Sequence, residues 1–168
     1  MDVSDLLNEL YGRIQPLAQR SVAGLDGDQL ARSPTPGTNS IGWLIWHLAR
    51  VQDHHVSEIL DGEQRWVADG WADRFGLPAD PADIGYGHDA DQMAAVQPGG
   101  PEILLDYLAV VQGRTMNLLE ELTAPDLDRI VDRRWDPPVR LGVRLVSIAD
   151  DSLQHLGQAC YLRGLFGW

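Results

Sequence analysis

Apolar positions recur along this chain at three- and four-residue intervals, the signature of helices with one buried face. Val3, Leu6, Leu7, Leu10, Ile14, Leu17, Ala18 and Val22 keep that rhythm and predict a first helix over about 3–24, with Gly24 as its stop. After the loop Ser33-Pro34-Thr35-Pro36-Gly37-Thr38, Asn39 or Ser40 can cap a second helix of about 40–60, striped by Ile41, Leu44, Ile45, Leu48, Val51, His55 and Ile59. A third, of about 101–121, begins at Pro101 and carries Leu104, Tyr107, Leu108, Val111, Thr115, Leu118 and Leu122 at helical spacing. The fourth, of about 140–165, has two stripes: Leu141, Leu145, Ile148, His155, Ala159, Leu162 and Phe166, and beside them Val146, Ala149, Leu153, Leu156 and Cys160. Apolar on two flanks, it is expected to be the most buried of the four.

Between the second and third helices, Asp61 to Gly100 is rich in glycine and proline, so sustained regular structure is not expected. Trp66, Trp71, Phe75, Leu77 and Tyr86 within it imply that this long 61–100 loop packs on the body, either as a functional cover or as a packed insertion without a role. A shorter connector, 123–138, has room for a short helix at 124–130 and closes on Trp135-Asp136-Pro137-Pro138. No alternating pattern predicts strands. The expected fold is all-α: a four-helix bundle with crossover connections, formed by one domain over 1–168.

The formal charge of −12, with only 13 Lys+Arg, argues against nucleic-acid and anionic-membrane partners. No apolar run is long enough to span a bilayer, and the acidic start opens an amphipathic segment, which together imply a cytoplasmic location. A single cysteine, Cys160, excludes an internal disulfide and a thiolate zinc site; it reads as a small core residue.

Chemistry concentrates on two helices. Asp151 and His155 are one turn apart on one helix face, a spacing at which a carboxylate and an imidazole can share a divalent metal. His47 lies on the interior edge of the second helix. Charged residues on a buried helix are expensive unless paired or metal-bound, and bundle interiors are where carboxylate/histidine metal sites are built. The competing role for Asp151 is to orient His155 or to pair with Arg144 or Arg163. His54 is two turns beyond His47, too far to bind the same ion, and can line a pocket mouth; His55 follows the core stripe; His88 can close over a site from the loop. Phosphate-binding, dinucleotide-binding, nucleophile-elbow and His-Glu-x-x-His templates are absent.

The segments Asn39-Ser40-Ile41-Gly42-Trp43-Leu44-Ile45-Trp46-His47-Leu48-Ala49-Arg50 and Asp151-Ser152-Leu153-Gln154-His155-Leu156-Gly157-Gln158-Ala159-Cys160-Tyr161-Leu162-Arg163-Gly164 together resemble the DinB-like superfamily. Within it the chain looks closest to the actinobacterial branch related to mycothiol-dependent maleylpyruvate isomerase. The likeness spans nearly the whole chain, including Gly85-Tyr86-Gly87-His88 and Trp135-Asp136-Pro137-Pro138. It implies a four-helix bundle whose metal is held by a histidine of the second helix and a pair spaced by four on the last. His47, Asp151 and His155 occupy those positions. Many members have His and His as the pair and the isomerase has Glu and His, so Asp151, one methylene shorter than Glu, is a departure.

The resemblance further implies a divalent metal, zinc or nickel, and thiol transfer or thiol-assisted isomerisation on a small electrophilic substrate. A low-molecular-weight thiol such as mycothiol would then be the cosubstrate. Arg140 or Arg163 would be candidates to hold a substrate carboxylate. A non-catalytic metal-binding stress-response bundle, dimeric through its helix faces, and a metal-dependent hydrolase are the alternatives.

Overall fold

The computed structural model describes all residues, 1–168. The first expected helix is two helices, α1 (Val3–Tyr11) and α2 (Ile14–Val22), followed by the short α3 (Gly27–Ala31). Pro16 explains the break: it has no N–H for the helical ladder, and its ring crowds the carbonyl four residues back, at Gly12. The second helix is α4 (Ile41–Ile59), capped by the Ser40 hydroxyl, which accepts the Trp43 N–H at 3.1 Å. Within the long connection lie three short helices, α5 (Arg65–Ala68), α6 (Trp71–Phe75) and α7 (Ala90–Ala95). Then come α8 (Pro101–Glu120), a 3-10 turn (Ala124–Asp128), β1 (Ile130–Asp132), β2 (Val139–Arg140) and α9 (Leu141–Phe166). The antiparallel ribbon β1–β2 was not expected; strands of three and two residues are too short to show an alternation.

Side-chain bonds between helices set their directions. Ser4 donates to the Leu119 carbonyl (2.7 Å) and Gln15 to that of Leu105 (3.4 Å), so α1–α2 runs antiparallel to α8. The Tyr107 hydroxyl donates to Asp53 (2.9 Å) and Arg114 to Ser57 (2.7 Å), so α4 and α8 are parallel. Two parallel neighbours require a crossover, which is what the 61–100 segment supplies. Tyr11 donates to the Leu145 carbonyl (2.6 Å) and Arg163 to that of Ser21 (3.4 Å), so α9 runs parallel to α1–α2. The result is an all-α four-helix bundle around one core cluster of 33 buried residues. No helix is long and apolar enough to cross a membrane.

Burial is distributed differently from the expectation for the last helix. Sixteen of the nineteen residues of α4 are buried, against eight of twenty-six in α9. α4 lies between α8, α9 and the long connection, whose Trp66, Trp71 and Phe75 gather on Tyr107 with ring centroids 5.6, 5.3 and 6.0 Å away. α9 buries most of its first stripe and, from the second, only Ala149 and Leu156. The outer edge of that second stripe faces outward, so Val146 and Cys160 are exposed and Cys160 is not a core residue.

Candidate metal centre

Antiparallel packing of α4 against α9 brings together the three residues singled out by spacing. His47 Nε2 lies 3.7 Å from Asp151 Oδ1, and His155 Nε2 lies 3.4 Å from the same oxygen. The two imidazole rings are 4.8 Å apart at 76°. Trp43, one turn before His47, stacks on its ring at 4.6 Å and 13°, which fixes the ring plane. Asp151 Oδ2 is buried and has no hydrogen-bond partner. Neither Arg144 nor Arg163 pairs with Asp151: Arg144 bonds Asp132 (2.7 Å), and Arg163 reaches the Ser21 carbonyl. Asp150 is exposed and accepts from Gln154 (2.7 Å).

Both rings are held in the tautomer that points a lone pair at Asp151. His47 Nδ1 faces the backbone carbonyl of Ile84, which can only accept, so the hydrogen is on Nδ1 and Nε2 is free. His155 Nδ1 faces the amide oxygen of Gln158 at 2.8 Å, with the same consequence. Such outer bonds are what orient metal-binding imidazoles. Burial pushes the Asp151 carboxyl up; when the two rings take up a second proton, the Nε2–H groups of His155 and His47 and their positive charge outweigh it and hold the carboxyl down at about 2. His155 is pulled down by burial and carried upward, more strongly, by Asp151 and Gln158.

The Ile84 carbonyl is delivered by a latched loop. Arg50, fully buried, donates from Nε and Nη2 to the Asp83 carbonyl at 3.1 and 3.0 Å. Asp83 Oδ1 accepts the Gly85 N–H (3.1 Å) and a ring N–H from His88 (2.8 Å). His88 in turn accepts the Trp43 indole N–H (3.1 Å) and stacks on Trp46 at 5.6 Å. His88 therefore sits behind the site and braces the loop. Asp83, Ile84 and Arg50 escaped the sequence reading; the Gly85-Tyr86-Gly87-His88 motif was its nearest signal.

A second titratable cluster, His54, His55 and Glu58, turns N–H groups rather than lone pairs toward its carboxylate. Arg144 Nη1 donates to His55 Nε2 at 3.3 Å, so the His55 hydrogen is on Nδ1, directed at Glu58 Oε2 (3.2 Å). Gln64 accepts from Arg50 through its oxygen (2.9 Å) and so turns its nitrogen to His54 Nδ1 (3.0 Å), leaving the hydrogen on Nε2, toward Glu58. Both lone pairs are occupied from outside, and both N–H groups face the carboxylate. This is a hydrogen-bond network, without a vacant donor set for a cation. Burial, then Arg144, lowers His55 to about 4 against the pull of Glu58.

Beside the first cluster lies a cavity of about 180 Å³, lined among others by His47, Val51, Tyr86, Ser147 and Asp151. An open depression of about 760 Å³ over the α1–α2 bend is larger but contains neither histidine nor carboxylate.

An all-α bundle that sets a histidine of its second long helix against a carboxylate/histidine pair of its last defines a class of compact helical proteins with one interhelical donor cluster. The DinB superfamily model matches residues 11–159, and the chain belongs to that superfamily. A crystal structure described as the conserved protein of locus from Enterococcus faecalis is 31% identical. It superposes with a TM-score of 0.91, over 100% of this chain and 99% of that one. No curated protein matches the chain.

Proposed function

We propose that this protein is a divalent-metal-dependent enzyme whose ion is held by His47, Asp151 and His155 and whose open coordination position faces the adjoining cavity. The observation that carries the reading is the pair of Nε2 lone pairs aimed at one carboxylate, each ring locked from outside by Ile84 or Gln158. The spacing fits. Ligands about 2.0–2.1 Å from a tetrahedral ion are about 3.4 Å from one another, and the two donor separations are 3.4 and 3.7 Å. Asp151 Oδ1 stands that close to both ring nitrogens, so the shorter aspartate reaches the cluster, and no protein donor occupies its buried Oδ2.

A divalent cation held there, zinc or nickel, would lower the pKa of a thiol or water bound to it. Asp151 contributes the one anionic donor, His47 and His155 the neutral ones, and Trp43 with the Ile84 loop keeps bulk water from the rear of the site. Cys160 is exposed on the outer flank of α9, so sulfur chemistry at this site needs a low-molecular-weight thiol. Resemblance to the branch related to mycothiol-dependent maleylpyruvate isomerase supports thiol transfer to, or thiol-assisted isomerisation of, a small electrophile.

The test is metal content of protein purified without an affinity tag, then cobalt substitution and addition of mycothiol or a surrogate. One ion per chain, lost in His47→Ala and His155→Ala, and a sulfur-to-cobalt band in the near ultraviolet are expected. An ion that no thiol perturbs at millimolar concentration would turn the reading to hydrolysis or to a non-catalytic role. No ion after soaking would end it.

A further inference from the structure

The cavity at His47 and Asp151 shares His55, Ile84 and Tyr86 with a wider groove of about 690 Å³. The groove follows the α4–α9 seam toward the start of α9. Two rungs cross that seam: His47 to Asp151 at 3.7 Å and His55 to Arg144 at 3.3 Å. Arg144 is seven residues before Asp151, hence on the same helix face, about 10 Å along the axis. One end of the groove is the donor cluster; the other is a pair of guanidinium groups.

Arg144 stands in the first turn of α9, where the helix already presents positive charge and a cation is out of place for stability. Its side chain is only 13% exposed. Nη2 donates to Asp132 and Nη1 to His55, and no protein acceptor meets Nε. Arg134 bonds Asp132 and Glu58 through Nε and Nη2, leaving Nη1 without a protein acceptor. The groove is thus lined by two guanidinium groups and one carboxylate, in a chain of formal charge −12. Trp135 and Tyr86, 64% and 92% exposed, stand at the same groove. Large aromatics left in water beside guanidinium N–H groups that no protein acceptor meets mark a ligand surface more than a stability device.

We propose that this groove binds the carboxylate end of an extended small organic acid whose other end reaches the His47–Asp151–His155 cluster. Arg144 and Arg134 take the carboxylate on the N–H groups that Asp132 leaves open, and Trp135 and Tyr86 flank the chain between. What the far end does rests on the metal reading above; the acidic subsite does not.

The probes are 6-mercaptohexanoate and 6-mercaptohexan-1-ol, equal in length and differing in charge at one end. Binding to cobalt-loaded protein is followed both by the sulfur-to-cobalt band and by calorimetry. The acid is expected to bind about tenfold or more tighter than the alcohol, since guanidinium–carboxylate hydrogen bonds are charge-assisted. That advantage should fall in Arg134→Gln, whose side chain is exposed, and in Arg144→Lys, which keeps the charge beside Asp132 but removes the fork. Equal affinity with a band from both probes overturns the subsite and leaves the metal reading standing. Tighter heat-detected binding of the acid with no band from either supports the subsite and sinks the thiol reading. No binding of either probe overturns both.

Discussion

The Ile84 carbonyl accepts the Nδ1–H of His47, and by that one bond the loop decides which nitrogen of the ring faces Asp151. Gly85 makes the approach possible. Its φ is +89°, and a Cβ there would stand 2.8 Å from His47 Nδ1 and 2.9 Å from the Trp46 ring. Gly85→Ala is therefore expected to push the loop off His47, lowering stability by about 1–3 kcal/mol and metal affinity by about 10–100-fold. Isothermal titration with zinc, beside urea unfolding, checks both. An alanine variant with unchanged zinc affinity would show that the Ile84 carbonyl does not tune the site.

Chelation should leave the bundle folded. The core of 33 buried residues is independent of the donor cluster, and each buried Leu or Ile contributes roughly 1.5–3 kcal/mol. An ion present at a hundred times its dissociation constant adds about 2.7 kcal/mol, so the melting temperature should drop by about 5–10 °C. Loss of the helical circular-dichroism signal at 25 °C on adding chelator would make the ion structural.

Stability should fall in acid through His55. Its folded pKa, about 4, is below the ordinary 6.5 because of burial and Arg144, with His54 adding to the same direction and Glu58 opposing. The unfolded chain therefore binds the proton first. The stabilisation is complete above about 6.5 and drains as pH falls from there to about 4. At 17% side-chain exposure the loss is at most about 2–3 kcal/mol. Urea unfolding from pH 7 to 4 should show a slope that His55→Gln flattens; identical slopes would exclude His55 as the titrating group.

Asp53 is the clasp of the long connection. Its buried carboxylate accepts the N–H groups of Arg65 (3.0 Å) and Trp66 (2.8 Å) and the Tyr107 hydroxyl, and faces Arg50 at 3.6 Å. Asp53→Ala strands those donors and the buried guanidinium, an expected cost of about 3–5 kcal/mol. Limited proteolysis should then cut first within 61–100. A loss below about 1 kcal/mol, or first cleavage elsewhere, would show that other contacts hold the segment.

Much of the helical layout was legible because each long helix carries its own stripe: α4, α8 and α9 fall where the three-four spacing of their apolar residues places them. The bend at Gly12 was missed although Pro16 announces it, since the stripe continues unbroken across the turn. The depth of α9 was misjudged because two apolar flanks say what a helix can bury, not what arrives to cover it. Arg140 and Arg163 drew attention as cations near the motif. Arg140 binds Asp128 at 2.5 Å and Arg163 a backbone carbonyl, while Arg144, which the spacing offered only as a partner for Asp151, is the one that lines the groove.

What the sequence alone determined is local and periodic: four helical runs, one face for Asp151 and His155, a histidine on the inner edge of α4, and a loop heavy enough in aromatics to pack. The sequence singled out His47, Asp151 and His155, but it could not say which ring nitrogens there, or in His54 and His55 beside Glu58, carry free lone pairs. The tertiary structure did, because a ring nitrogen is a donor or an acceptor according to the group opposite, and those groups come from far along the chain. Ile84 leaves the His47 lone pair free, whereas Arg144 and Gln64 occupy those of His55 and His54. Periodicity sets which way a side chain points; only packing sets what it meets.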